Sequence, residues 1–295
     1  MFKIILLSLL ILIIIISIFF YFLCKYIGKK YTGYKNMFKI LKNIKGNENK
    51  EEKFMNFGYW TDLTFNLSEA SKRLCSCVIN QAEIKNNEKI LDIGCGYADQ
   101  DFYLLENINN NVNIECIDIN ELQVKNIYDR IKEKGYEDKI KVNIGDAIKL
   151  NYKDETFDKV LSIETAFHYN PRINFFKESY RVLKNKGNLL ICDIVLKDNC
   201  EYSSFNLPLL LTKNYMNIPL ENFITKDKWI EELKNIGFNV EVRDITENTI
   251  IPFIEYFEKN NHFKNIILKN FIKIIKNYTI NYNPFVYIVA KATKN

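Results

Sequence analysis

The chain has 295 residues, 47% of them hydrophobic and 26% charged, which is enough for one sizeable core and one catalytic-size domain. Its net charge is +5, but lysines alternate with Asp and Glu and no dense basic block stands alone, which argues against a nucleic-acid-binding surface. The cysteines number seven, odd and widely scattered, and read as reduced core thiols, not a disulfide framework; the only histidines are His168 and His262, so Cys75 and Cys77 have no second ligand pair at zinc spacing and no metal site is expected.

Residues 4–24 carry no charged side chain. At about 1.5 Å per residue, a helix of that length crosses the ~30 Å hydrocarbon core of a bilayer. A transmembrane anchor over residues 1–24 is therefore expected. The competing reading, a cleaved signal peptide, needs a small-x-small site where Phe19, Phe20, Tyr21 and Phe22 stand. Lys25, Lys29, Lys30 and Lys35 follow the span and only Lys3 precedes it, which predicts a single-pass protein with its large C-terminal part in the cytosol. Residues 25–53 form a lysine-rich linker.

From residue 54 short apolar runs alternate with helical patterns: strand 89–93, helix after Ala98, strand 112–118, helix 121–134, strand 140–144, strand 157–163, helix 171–183 and strand 188–194. That alternation predicts a parallel α/β sheet. Beyond residue 198 come an irregular stretch, a helix 226–236 ended by Gly237, and strands 239–244 and 285–291. One domain spanning 54–295 is expected, with helical insertions at about 200–225 and 246–282. In residues 262–278, Phe263, Ile266, Ile267, Phe271, Ile274 and Ile275 share a face, which fits packing over the sheet first and contact with a membrane or lipid second.

The run Leu91-Asp92-Ile93-Gly94-Cys95-Gly96-Tyr97-Ala98 joins a strand to a helix through two glycines, an arrangement that brings backbone close to a nucleotide-like ligand. Asp99 stands where a dinucleotide fingerprint has its third glycine, with Asp101 beside it, and two carboxylates at a helix N-terminus oppose a phosphate. About 20 residues past the glycines, Asp118 ends the second strand, where an acidic side chain accepts from ribose hydroxyls. Asp146, in Gly145-Asp146-Ala147, ends the third strand, where it can accept from an adenine amino group. The alternatives are a helix cap for Asp118 and a turn for Asp146.

With Asn56-Phe57-Gly58-Tyr59-Trp60 before the fold, Ile117-Asp118-Ile119, the run from Phe157 to His168, and Arg181-Val182-Leu183-Lys184 with Gly187, the chain resembles class I S-adenosylmethionine-dependent methyltransferases. The nearest group is the small-molecule one that includes sterol, tocopherol, cyclopropane fatty acid and phosphoethanolamine enzymes. The resemblance implies a Rossmann-like fold with a seven-stranded, mostly parallel sheet and helices on both faces. It implies S-adenosylmethionine as cofactor, Gly94 and Gly96 shaping its pocket, and Asp92 orienting the methionyl amine. Asp118 and Ile119 would then lie at the ribose, and Asp146 with Ala147 would frame the adenine. Ala98 replaces the usual third glycine, and its methyl is expected to crowd the cofactor.

On the acceptor side the same resemblance points to His168 as a base and to Tyr59 as its partner, as in some phosphoethanolamine enzymes. Glu164 is placed near the methionyl end, or else fixes His168 or a backbone amide. The expected acceptor is a small, lipid-like or membrane-associated molecule. A protein or RNA methyltransferase is the first alternative; Ser162-Ile163-Glu164-Thr165 lacks the Pro-Pro-aromatic run of enzymes acting on base or amide nitrogens. The second is a non-catalytic membrane-tethered scaffold, against which Asp118, Asp146 and both glycines argue.

Overall fold

A computed structural model describes residues 54–109, 111–201, 209, 213, 216–259, 273, 276–277 and 280–295. The expected anchor, the lysine-rich linker and most of the segment 262–278 lie outside the described residues. No helix among the described residues is long and apolar enough to cross a membrane. The elements below all fall in one compact unit, residues 44–201 with 219–295; of the other, residues 1–43 with 202–218, a few positions are described, including an Ile218 amide that donates to the Lys213 carbonyl.

In chain order the elements are α1 (Leu67–Ile79), β1 (Lys89–Ile93), α2 (Asp99–Asn107), β2 (Asn113–Asp118), α3 (Glu121–Lys134), β3 (Ile140–Ile144), β4 (Phe157–Ile163), a 3-10 turn (Ala166–His168), α4 (Arg172–Val182), β5 (Leu183–Leu196), α5 (Lys226–Ile236), β6 (Phe238–Asp244), α6 (Ile250–Lys259) and β7 (Phe285–Lys294). The seven strands form one sheet in the order β3-β2-β1-β4-β5-β7-β6. Only β7 runs antiparallel to its neighbours. Strands β1 and β4 read as nearly continuous apolar runs because both faces are covered, and they are buried throughout most of their lengths. Edge strand β3 buries Ile140 and leaves Ile144 exposed.

Strand order reverses between β1 and β4, so the crevice over their carboxyl ends is where this architecture places a ligand. Phe175 and Phe176 of α4 and Trp229 of α5 pack with Leu91, Val160 and Leu189 of the sheet. The Trp229 indole meets the Phe176 ring edge-on at 5.5 Å, and its N–H donates to the buried Asp193 carboxylate at 2.9 Å.

The sequence pattern places most of these elements within a few residues, but it omits α1. The signal was present: Asn66 caps the helix by accepting from the Glu69 amide at 2.8 Å, and Leu67, Ala70, Ser71, Leu74, Cys75 and Val78 follow at helical spacing and are buried. Asn66→Ala leaves that amide unsatisfied and is expected to cost about 1 kcal/mol in chemical denaturation, with an unchanged m-value.

Residues before α1 form a strap that crosses to the opposite end of the chain. The Tyr59 amide donates to the Ala70 carbonyl at 2.8 Å, Trp60 exchanges two hydrogen bonds with Asn248, and the Phe57 ring lies against Phe253 and Tyr287. Gly58, at φ +80°, has room for no side chain: a Cβ there would sit 2.5 Å from that of Ala70.

Candidate active site

The loop from β1 to α2 begins with the Gly94 amide donating to the Ile117 carbonyl at 2.9 Å, which ties it to β2. Gly94 and Gly96 both have positive φ, +73° and +62°, but for different reasons. A Cβ on Gly94 would lie 2.6 Å from the Tyr169 hydroxyl and 2.8 Å from that of Thr165, whereas one on Gly96 would meet only the Met55 sulfur, at 3.9 Å. Gly96 therefore borders open space, and Gly94 is pressed against the turn leaving β4. Ala98 holds the left-handed conformation a glycine would favour, at φ 61°, and is fully enclosed. Its methyl packs within the protein, so the expected crowding of the cofactor gives way to a local backbone cost.

Beneath the loop lies a layer of acids. Asp99 is bound by Arg130 through both guanidinium nitrogens, at 2.7 and 2.9 Å, and Arg130 also donates to the Tyr97 carbonyl. Asp101 is fully buried, accepts from the Cys116 thiol at 3.1 Å and faces Asp92. Both carboxyls of the α2 first turn thus point into the protein. Asp92 is itself fully buried, and its Oδ2 accepts from the Gln100 amide at 2.7 Å. Gln100, which sequence reading passed over, also donates to the Cys95 carbonyl at 3.1 Å, so it stands between Asp92 and the loop.

Asp92 Oδ1 and Asp101 Oδ1 have no hydrogen-bond partner among the described residues, and the two buried carboxyls lie close enough to disfavour charge on both. Burial pushes Asp92 well above the usual carboxylate range and Asp101 up to about 7. The folded chain consequently binds more protons than the unfolded one between the ordinary carboxylate value of 3.8 and about 7. Stability of the ligand-free protein is expected to fall as pH rises through that window, and Asp101→Asn to flatten the slope. Denaturant titrations at several pH values check this; an equal slope in the variant would show that Asp101 does not carry it.

Asp118 closes β2 with its Oδ1 accepting from the Asn120 amide at 2.8 Å; the Gly96 amide is also directed at this carboxyl. It is only 7% exposed, and burial raises its pKa. Ile119, next in sequence, is 73% exposed and Ile144 at the end of β3 is 59% exposed, two large apolar side chains left open at one rim. Asp146 is exposed, with Oδ1 accepting from the Ile148 amide at 3.1 Å, and Ala147 is buried.

At the exit of β4, Glu164 has φ 57° and its Oε1 accepts from the Phe57 amide at 2.8 Å. The side chain therefore holds the strap's backbone. Its carboxyl is enclosed beside the Tyr287 hydroxyl, and burial pushes its pKa up to about 8. His168 ends the 3-10 turn, with its ring 4.3 Å from that of Phe167. Tyr59 is elsewhere: its hydroxyl accepts from Arg243 of edge strand β6 at 2.9 Å, and the guanidinium lies 5.7 Å from the ring centre. Between β4 and β6 stand β5 and β7. The structure thus brings Glu164 and His168 to one turn and anchors Tyr59 at the far edge.

This donor set fits an adenosyl ligand without phosphates. A carboxylate faces the two-glycine loop, apolar side chains line the rim, and Arg130, which reaches the loop at the Tyr97 carbonyl, is committed to that carbonyl and Asp99. Buried thiols do not compete for chemistry: burial holds Cys75, Cys116 and Cys192 well above the ordinary thiol value.

Over residues 84–249 the chain matches the family described as methyltransferase domain, and it belongs to that family. Within it, this is a class I S-adenosylmethionine-dependent enzyme of the small-molecule group. The chain is 31% identical over 234 residues to erythromycin 3''-O-methyltransferase of Saccharopolyspora erythraea, covering 77% of this chain and 76% of the relative. Among solved structures it is similar to a putative sarcosine dimethylglycine methyltransferase from Galdieria sulphuraria, with TM-score 0.74, 17% identity, and coverage of 88% and 98%. It is also similar to the [4+2]-cyclase SpnF, with TM-score 0.69, 20% identity, and coverage of 92% and 96%. At those identities the two structures speak for the fold alone.

Proposed function

We propose that this enzyme methylates a hydroxyl group on a bulky, lipid-like acceptor, from a position anchored at a membrane. S-adenosylmethionine supplies a methyl group already activated by positive sulfur, so the chain's part is to align, desolvate and take up a proton. The position of His168, on the turn that leaves β4 beside Gly94, supplies a base for either a hydroxyl or an ammonium acceptor, and the choice of hydroxyl is carried by the 31% identity to an O-methyltransferase. A hydroxyl must lose its proton, and an imidazole there is suited to accept it. That similarity, to an enzyme of a large natural product, spans three quarters of both chains.

In this reading Gly94, Gly96, Asp118 and Ile119 hold the nucleoside, Asp146 and Ala147 border the adenine, and Asp92 acts on the methionyl end through Gln100. The membrane part rests on the uncharged residues 4–24 and the lysines that follow, which leave the catalytic domain facing the cytosol.

Calorimetric titration with S-adenosylmethionine, with NADH as control, comes first. Selective binding in the micromolar range supports the donor site; radiolabelled methyl transfer is then screened on hydroxylated lipids, quinols and macrolides, with sarcosine and phosphoethanolamine as amine controls. Labelling of the amines alone would overturn the hydroxyl assignment. Alkaline extraction of full-length protein from membranes checks the anchor, and release into the soluble fraction would refute it.

A further inference from the structure

Two groups of contacts meet at Tyr169, the residue after His168. Its hydroxyl lies 3.0 Å from the Ile93 carbonyl and 2.8 Å from the Thr165 hydroxyl. Thr165 in turn is 2.9 Å from the Ser162 hydroxyl. The Thr165 hydroxyl also lies 3.2 Å from the Ile93 carbonyl; since a carbonyl only accepts and each hydroxyl has one proton, either Thr165 donates to Tyr169 and Tyr169 to Ile93, or Tyr169 donates to Thr165 and Thr165 to Ile93. The chain of donors ends on the peptide that opens the two-glycine loop. Tightness is evident in the space a Cβ on Gly94 would need, which the Tyr169 hydroxyl already fills.

From the other side the Asn222 amide donates to the carbonyls of Phe167, at 2.9 Å, and Tyr169, at 2.7 Å, so it grips the backbone on both sides of His168. Asn222 is held by Arg172, whose guanidinium reaches the Asn222 carbonyl at 3.2 Å and the Asp193 carboxylate at 2.9 Å. Arg172, Asp193 and Asn222 are all buried, so the grip starts from the core.

We propose that Tyr169 is a positioning residue that welds the donor loop to the acceptor-side turn, so that filling the donor site fixes the turn carrying His168. The inference rests on the reading above that the two-glycine loop holds the donor and that the turn after β4 faces the acceptor. Rigid coupling of this kind matters because displacement of a reacting group by about 1 Å costs on the order of 100-fold in rate.

Hydrogen exchange of the full chain in detergent, with and without S-adenosylhomocysteine, tests it on wild type, Tyr169→Phe and Thr165→Val. Tyr169→Phe keeps the ring against Phe175 and removes only the hydroxyl. In wild type the ligand is expected to slow exchange over residues 165–170 by about tenfold; in both variants the slowing should fall below about twofold while ligand affinity stays within about threefold. Without ligand, the variants should exchange faster over residues 92–97 and 165–170 together, which decides the weld even if wild type binds no S-adenosylhomocysteine and the donor reading fails. Unchanged exchange in both segments, or protection equal to wild type, overturns the proposal. So does a loss of affinity equal to the loss of protection, which would make Tyr169 a part of the donor site itself.

Discussion

Gly94→Ala is expected to abolish measurable donor binding, a loss of at least about 100-fold or roughly 2.7 kcal/mol. Two costs combine. An alanine at φ +73° pays about 1–2 kcal/mol for the left-handed conformation. The new Cβ would also stand 2.6 Å from the Tyr169 hydroxyl and 2.9 Å from the Thr165 Cβ, so either the loop or the turn must move. Gly96→Ala carries the conformational cost without the collision and should weaken binding by a smaller factor. Gly94→Ala combined with Tyr169→Phe relieves only the nearest contact, so a partial recovery of affinity is expected. Calorimetry with S-adenosylmethionine on the four proteins checks the ranking, and a Gly94→Ala protein that binds as tightly as wild type contradicts it.

The fold was legible because its central strands sit under helices on both faces and therefore stand out as apolar runs broken at single positions, Asp92 in Ile90 to Ile93 and Ser162 in Val160 to Ile163. Chain direction and the site's position followed from the glycine loop and from the acidic ends of β2 and β3. The first helix was missed because its buried face is made partly of small or weakly apolar residues, Ala70, Ser71 and Cys75, and its strongest mark is one capping residue. At the site, residue types were legible and directions were not. Nothing in Asp99 or Asp101 says that one will turn onto Arg130, 31 residues on, and the other onto Asp92. Tyr59 shows the same limit: its hydroxyl is claimed by Arg243, 184 residues away, and that pairing has no local signature.

Architecture alone does not specify this reaction, since one neighbour with the same fold is a [4+2]-cyclase. What separates the possibilities is the chemistry placed around the donor crevice. In this chain that crevice is bounded on one side by a loop whose glycines cannot be exchanged without cost and on the other by a short turn held at three points. Glu164, Asn222 and Tyr169 each fasten a different part of that turn, to the strap, the core and the loop. A turn fastened at three points has little motion left for a bound donor to remove, which brings it close to the preorganisation that in-line transfer requires.

His168 is the group that gains from this restraint. If it takes the acceptor's proton, His168→Ala should lower kcat on the acceptor returned by the methyl-transfer screen by about 100- to 10,000-fold while donor affinity stays near wild type. The pH profile separates this from a packing effect. In wild type the acid limb of kcat/KM reports a base that must be deprotonated, so activity rises with pH; without the imidazole that limb should disappear, leaving a rate that climbs with hydroxide. Glu164→Gln is the necessary control, since its carboxyl, pushed up to about 8 by burial, titrates near the same range. Glutamine retains an acceptor for the Phe57 amide, so the strap should stay in place and the histidine limb should persist. An acid limb that vanishes in Glu164→Gln and survives in His168→Ala would move the base from the histidine to the carboxylate. That outcome would also explain why a glutamate with positive φ is held against the strap, since a backbone amide and a buried hydroxyl beside it are what keep its proton affinity from rising further.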